Sequence, residues 1–115
     1  MAGVLNQRCW MRATQGKDLD KALADCDASL KLRPRSSATL DSRGFVRLRM
    51  GQLDAAIADY DAVMKLQPKQ AWSMYCRGLA KQKKGLKEAG DADIKAALAL
   101  EPKVAERAKF YGVES

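Results

Sequence analysis

The chain has 115 residues, 47% of them hydrophobic and 30% charged, with only three prolines; this suits one folded domain and excludes a disordered tail or a second independent core. Its 21 basic and 14 acidic residues leave a formal charge of +7, a sign compatible with an acidic peptide, a nucleic acid or an anionic surface as partner and decisive for none of them. The lack of histidine removes the ordinary imidazole base of hydrolytic triads, and no run of about eighteen apolar residues is present to cross a bilayer.

The opening segment, MAGVLNQRCWMRA, has no apolar run followed by a small-residue cleavage site, and Arg8 and Arg12 flank Trp10, so no export signal is read there. The phrase LNQRCWMRATQG predicts a first helix closing at Gly16, glycine being the residue that takes the left-handed conformation at helix ends. A second helix runs to SLKLRP and stops at Pro34, because proline disfavours helix in the residue before it. The next unit repeats the plan, with LDSRGFVRLRMG closing at Gly51 and VMKLQP at Pro68. Within it Leu40, Gly44 and Leu48 fall at a spacing of four, and Ala56, Ile57, Tyr60, Val63 and Met64 form the stripe of a helix buried on one side. MYCRGLAKQKKG, ending at Gly85, and ALALEP, ending at Pro102, make a third unit, so that Pro34, Pro68 and Pro102 lie 34 residues apart twice over. The remainder, KVAERAKFYGVES, reads as a short terminal helix with Tyr111-Gly112 in register with Arg77-Gly78.

A helix of about fourteen residues is marginal alone in water, so each apolar stripe must be covered by its hairpin partner and by neighbouring units. A 34-residue helix-turn-helix unit with this punctuation resembles the tetratricopeptide repeat family. The middle unit supplies Leu40, Gly44, Ala56, Tyr60, Val63 and Pro68 of the family pattern and departs from it at Arg43 and Arg47, where Leu and Tyr are usual. The third matches at Met74, Gly78, Ala97 and Pro102, but Lys87 and Gly90 stand where a hydrophobic residue and Ala are usual, so its second helix is expected to start late or fray. In the first unit Cys9 replaces the small packing glycine and Cys26 takes the aromatic position. The interval from Gly16 to Pro34 exceeds that from Gly51 to Pro68 by one residue, which places an insertion in the turn around Lys17 and Asp18. The resemblance implies an all-α, right-handed superhelical stack of helix-turn-helix repeats, an α-solenoid. A single domain is expected over 1–115, with repeats at approximately 2–36, 37–70 and 71–104 and a capping helix at 105–112. The chain reads equally well as a whole protein or as a piece of a longer repeat array.

The resemblance also implies a concave face, lined by the first helix of each pair, on which a partner peptide is held. Carried over residue by residue, that face comprises Asn6, Gln7 and Trp10, then Asp41, Ser42, Phe45 and Arg49, then Trp72, Tyr75, Cys76, Leu79 and Lys83. Of these, Asn6, Trp10, Asp41, Phe45, Arg49, Trp72, Tyr75, Leu79 and Lys83 form the candidate peptide-binding set. Trp10, Phe45 and Leu79 share a register, and either make an apolar strip for a peptide or pack under the neighbouring helix. Trp72, at the start of its helix after Pro68, is expected to be partly exposed and is the leading single contact. The subclass that clamps the carboxylate end of heat-shock chaperones uses Lys, Asn and Arg at set positions of three first helices. Asn6, Trp10, Ser42, Trp72 and Cys76 stand there and offer no cation for paired carboxylates, so that role is disfavoured.

Arg8, Arg43 and Arg77 recur at 35 and 34 residues, and Asp25, Asp59 and Asp93 at 34 and 34, which favours a repeated Arg-Asp bridge over an open row of guanidinium groups. Lys81, Lys83, Lys84 and Lys87 read as a solvated face, since no RNA-binding motif or zinc-finger spacing accompanies them. Cys9, Cys26 and Cys76 form no CxxC pair and read as reduced packing thiols in a cytosol-like compartment. Asp59 and Asp61, or Asp91 and Asp93, are two apart on a helix and point to different sides, and no phosphate-binding loop is present. No catalytic site, cofactor or metal is therefore expected. The expectation is a cytoplasmic protein–protein interaction module, an adaptor or scaffold, with a protein or peptide partner and no membrane association, as a monomer or weak homodimer. Two alternatives stay open: binding of nucleic acid or an anionic surface through the positive charge, and self-association as the structural unit of a larger protein, through an end of the stack near Trp10 or Tyr111.

Overall fold

The computed structural model describes residues 1–113. They form α1 (Ala2–Gln15), α2 (Leu19–Leu32), α3 (Ser37–Met50), α4 (Leu53–Leu66), α5 (Ala71–Lys84), α6 (Lys87–Leu100) and α7 (Val104–Phe110), with no strand among the described residues. Successive helices pair as three hairpins, and each hairpin packs on the next through α2 against α3 and α4 against α5. The result is an all-α stack of helical hairpins measuring 37 × 27 × 24 Å. None of the helices is long and apolar enough to cross a membrane.

The turns follow from their residues. Gly51, at φ 80, closes α3 and sends its own N–H and that of Gln52 back to the carbonyls of Leu48 and Arg47, which satisfies groups the helix end would otherwise leave unpaired. Only Gly51 and Gln52 separate α3 from α4, whereas Gly16, Lys17 and Asp18 separate α1 from α2. The inserted residue thus sits where the interval places it, and Asp18 absorbs it by adopting a left-handed conformation at φ 53.

Each hairpin is locked at one contact point. In the second, a Cβ on Gly44 would lie 2.9 Å from the Tyr60 ring, so glycine is what lets the fully buried tyrosine rest on the α3 backbone. In the third, a Cβ on Gly78 would meet the Gly90 carbonyl at 2.8 Å and one on Gly90 would meet the Gly78 carbonyl at 2.7 Å. The expected fraying of α6 is therefore not found: the helix begins at Lys87, because Gly90 is the point at which α5 and α6 approach. In the first hairpin the equivalent positions are Cys9 and Cys26, which are joined by a disulfide across a Cα–Cα distance of 5.5 Å. This corrects the reading of all three cysteines as reduced thiols. The residue that replaces glycine faces the residue that replaces tyrosine, and two short side chains bridge the gap a ring fills elsewhere. Cys76 is free and buried, and burial pushes its thiol well above the usual cysteine range.

Beside each contact point runs the expected bridge of charges. Arg8 donates through Nε and Nη2 to both oxygens of Asp25 at 2.9 and 2.6 Å, Arg43 to Asp59 at 3.1 and 2.8 Å, and Arg77 to Asp93 at 2.9 and 2.9 Å. One turn further on, Arg12, Arg47 and Lys81 reach the same three carboxylates. Arg43 and Arg77 also reach back 3.0 Å to Asp27 and Asp61 of the preceding hairpin, so the bridges link neighbours as well as partners. Arginine is accommodated where the family usually places Leu because its guanidinium is fully engaged. The hydrogen bonds from Arg8 are also the main reason the Asp25 carboxyl is held below its ordinary range.

Two outcomes test this frame. Asp59→Ala, which strips Arg43 and Arg47 of a shared acceptor that is 4% exposed, is expected to cost about 3 kcal/mol in urea unfolding; Asp61→Ala, at a half-exposed site, costs about 0.5 kcal/mol. Equal losses would show that burial of the carboxylate is not what counts. Thiol titration of the unfolded chain is expected to find one reactive cysteine without reductant and three with it.

Candidate peptide-binding groove

Helices α1, α3 and α5 lie side by side, and their common face takes Trp10 and Phe45 from just beyond two of the contact points and Trp72 from the start of α5. Trp10, Phe45 and Trp72 meet there, with ring centroids 5.3 Å apart for Trp10–Phe45, 5.6 Å for Phe45–Trp72 and 6.2 Å for Trp10–Trp72. A fourth ring enters from the end of the chain. Tyr111, just past α7, sits 5.6 Å from Trp10, 5.8 Å from Trp72 and 6.3 Å from Phe45, edge-on to each, the arrangement that ring quadrupoles favour.

Arg49 holds this box shut. Its guanidinium lies 5.3 Å over Phe45 and donates to the carbonyls of Ala13 and Thr14 at the end of α1, at 3.0 and 3.3 Å, and to the carbonyl of Tyr111. Burial lowers its pKa from the usual arginine value. Gly112 follows at φ 82, and a Cβ there would lie 2.9 Å from Arg49 Nη2, so neither the conformation nor the space suits a side chain.

Next to the box is a cavity of about 330 Å³, walled by Trp10, Trp72 and Tyr111 and bordered by Asn6, Asp41, Ser42 and Arg107. Arg107 lies over the Trp72 ring at 4.9 Å. Asp41 accepts a 2.6 Å hydrogen bond from the Ser73 hydroxyl. Burial nevertheless raises its carboxyl to about 6, against the opposing pull of Ser73 and Arg107. Asn6 Oδ1 and Trp72 Nε1 are buried with no hydrogen-bond partner in the protein. An acceptor and a donor left this way each cost about 1–3 kcal/mol, and Arg47 Nε and Tyr60 Oη are buried without a partner as well.

Of the residues expected to form the groove, Asn6, Trp10, Asp41 and Trp72 border this cavity. Phe45, Tyr75 and Leu79 are buried in the core, and Lys83 is exposed beside a separate hollow of about 490 Å³ that it shares with Leu19, Arg49 and Val113. Trp72 is 3% exposed, which corrects its expected partial exposure: Trp10, Tyr111 and Arg107 cover the ring that its helix-start position would otherwise show. Sequence reasoning missed Tyr111 and Arg107 as groove residues. The available signal was an aromatic-glycine pair ending an otherwise polar segment. Among the described residues no group of His, Cys, Asp and Glu is placed to hold a metal ion.

A family model described as TPR repeat matches residues 44–85, the stretch from the Gly44 contact point to the end of α5, and hairpins of the same form lie on either side of it. The chain carries a tetratricopeptide repeat at its centre. The TPR chain is similar to the "MamA RS-1 ArsTM double mutant", with 27% identity and a TM-score of 0.80 over 96% of this chain and 63% of that one. It is similar also to "MamA 41-end from Desulfovibrio magneticus RS-1", with 28% identity and a TM-score of 0.80 over 96% of this chain and 64% of that one. A third TPR structure, "First TPR of Spaghetti (RPAP3) bound to HSP90 peptide SRMEEVD", shares the fold at 20% identity, with a TM-score of 0.81 over 96% of this chain and 89% of that one. The chain thus spans just under two thirds of the MamA chains it matches. No curated protein matches it in sequence.

The Asp41 carboxyl gives this TPR groove a pH signature. Its folded value near 6 lies above the ordinary 3.8, so its contribution to stability is complete below about pH 4 and lost as pH rises through 6. Asp41→Asn is expected to be more stable than wild type by about 3 kcal/mol at pH 7 and close to it near pH 4, as read from urea midpoints. A gap that does not change with pH would show that Asp41 titrates normally.

Proposed function

We propose that this TPR chain is a protein-interaction module that holds a segment of a partner protein on the face formed by α1, α3 and α5, and that it acts by binding rather than catalysis. The observation that carries the reading is the aromatic-walled cavity bordered by Asn6 and Trp72, each of which keeps one buried polar atom without a partner in the protein. A peptide backbone offers an N–H and a C=O to such a pair, while its side chains use the rings. The RPAP3 structure holds a peptide on a TPR fold. Its acidic sequence is a poor model for this chain, whose Arg49 is committed to backbone carbonyls and whose Ser42 and Cys76 are buried.

The basic cluster offers less. Lys81 is paired with Asp93 and Lys84 with Asp54, so half of its charge is already answered within the fold and nucleic-acid binding is not favoured. The Cys9–Cys26 bond favours an oxidising compartment over the cytoplasm.

The test is capture of binders by the full chain from a random dodecapeptide library, followed by affinity measurement against variants. Trp72→Phe keeps the ring and loses the N–H, and Asn6→Ala loses the acceptor. Each is expected to weaken captured peptides by about five- to tenfold while the chain stays folded at the assay temperature, Trp72→Phe melting somewhat lower because its smaller ring leaves a void. Peptides that bind both variants as tightly as wild type would place the site elsewhere. A single-stranded RNA of mixed sequence is expected to bind only weakly and to be lost between 50 and 200 mM salt.

A further inference from the structure

The groove is already filled at one end by the chain itself. Tyr111 is enclosed by Trp10, Phe45 and Trp72, and its carbonyl accepts from Arg49. The element that delivers it is the least firmly attached in the fold. Helix α7 has seven residues and no side-chain cap, well short of the length at which a helix persists alone. It packs on α5 and α6 and on no other helix. Tyr111, its hydrogen bond to Arg49 and the buried Val113 carry the segment after α7 across to α1 and α3. Phe110, beside it, is 83% exposed and adds nothing to the attachment.

We propose that Tyr111 is a built-in, displaceable ligand of the groove, and that the partner is a segment presenting an aromatic side chain followed by a small residue, with a basic residue one helical turn earlier. The proposal rests on the groove reading above and names its occupant. Each element comes from what Tyr111 and its neighbours already do. The box accepts a ring edge-on. Arg49 donates to the carbonyl of the ring-bearing residue, and the residue after it takes the left-handed conformation that favours glycine. Arg107, four residues before Tyr111, covers the Trp72 ring and lowers the Asp41 carboxyl electrostatically. When α7 lifts away both are uncovered, and a basic residue of the partner takes the same place. Wild type then binds weakly in proportion to the small fraction of molecules with the box open.

The probe is the synthetic peptide KVAERAKFYGV, residues 103–113 of this chain, with KVAERAKFAGV as control. The readout is tryptophan emission, since both tryptophans of the chain line the box. Full-length Tyr111→Ala is expected to bind the first peptide at least about tenfold more tightly than wild type and to ignore the control, while Tyr111→Phe behaves as wild type. If Tyr111→Ala melts below the assay temperature, Gly112→Val replaces it, because the new side chain meets Arg49 and expels Tyr111. Equal affinity for wild type and the opened variant overturns the displaceable ligand while leaving the groove reading intact. A folded, opened variant that does not bind the peptide overturns the aromatic specificity, and the groove reading then stands or falls on its own library peptides. In wild type, amides of 105–112 are expected to exchange by a local opening, ahead of those in α3 and α5; exchange only in step with global unfolding overturns the proposal.

Discussion

Everything in the fold is arranged around the point where the two helices of a hairpin touch. That contact is made in three ways along the chain: a disulfide between Cys9 and Cys26, a tyrosine ring on Gly44, and a pair of glycine backbones at Gly78 and Gly90. The residue before each contact on the first helix is Arg8, Arg43 or Arg77, and the carboxylate it meets is Asp25, Asp59 or Asp93. The residue after it is Trp10, Phe45 or Leu79. Polar bridging thus falls on one flank and apolar surface on the other, because consecutive helical residues are about 100° apart. The charge lattice follows from that placement in all three hairpins, while the aromatic face takes Trp10 and Phe45 from it and adds Trp72 and Tyr111.

This geometry explains what was readable in advance. The glycine-to-proline intervals located the turns, including the extra residue that Asp18 accommodates. The recurrence of Arg and Asp gave the bridges before any distance was known, because a half-buried guanidinium demands a nearby carboxylate. What was not readable depended on comparing positions rather than spacings. Cys9 and Cys26 occupy the two facing positions of the first hairpin, yet 17 residues of separation says nothing of that until they are laid over Gly44 and Tyr60. Gly90 looked like a helix breaker and is a contact surface.

The groove was the least legible part. Trp10, Asp41 and Trp72 stand on the expected face, but whether a ring on that face is open depends on what lies over it. Here the cover is supplied by Tyr111 and Arg107, from a segment whose repeat register pointed only to another stacked helix. A repeat pattern describes neighbours. It is silent about a tail that crosses back over three of them.

The first hairpin and α7 are unequally secured. The first hairpin is tied covalently between residues 17 apart in sequence, whereas α7 is a seven-residue helix without a side-chain cap. In a stack stabilised mainly by nearest neighbours, thermal loosening begins where the local free energy is smallest. Among the described residues fluctuations therefore have a direction, larger at α7 and dying out toward the cross-linked hairpin, which serves as the fixed jaw against which α7 moves.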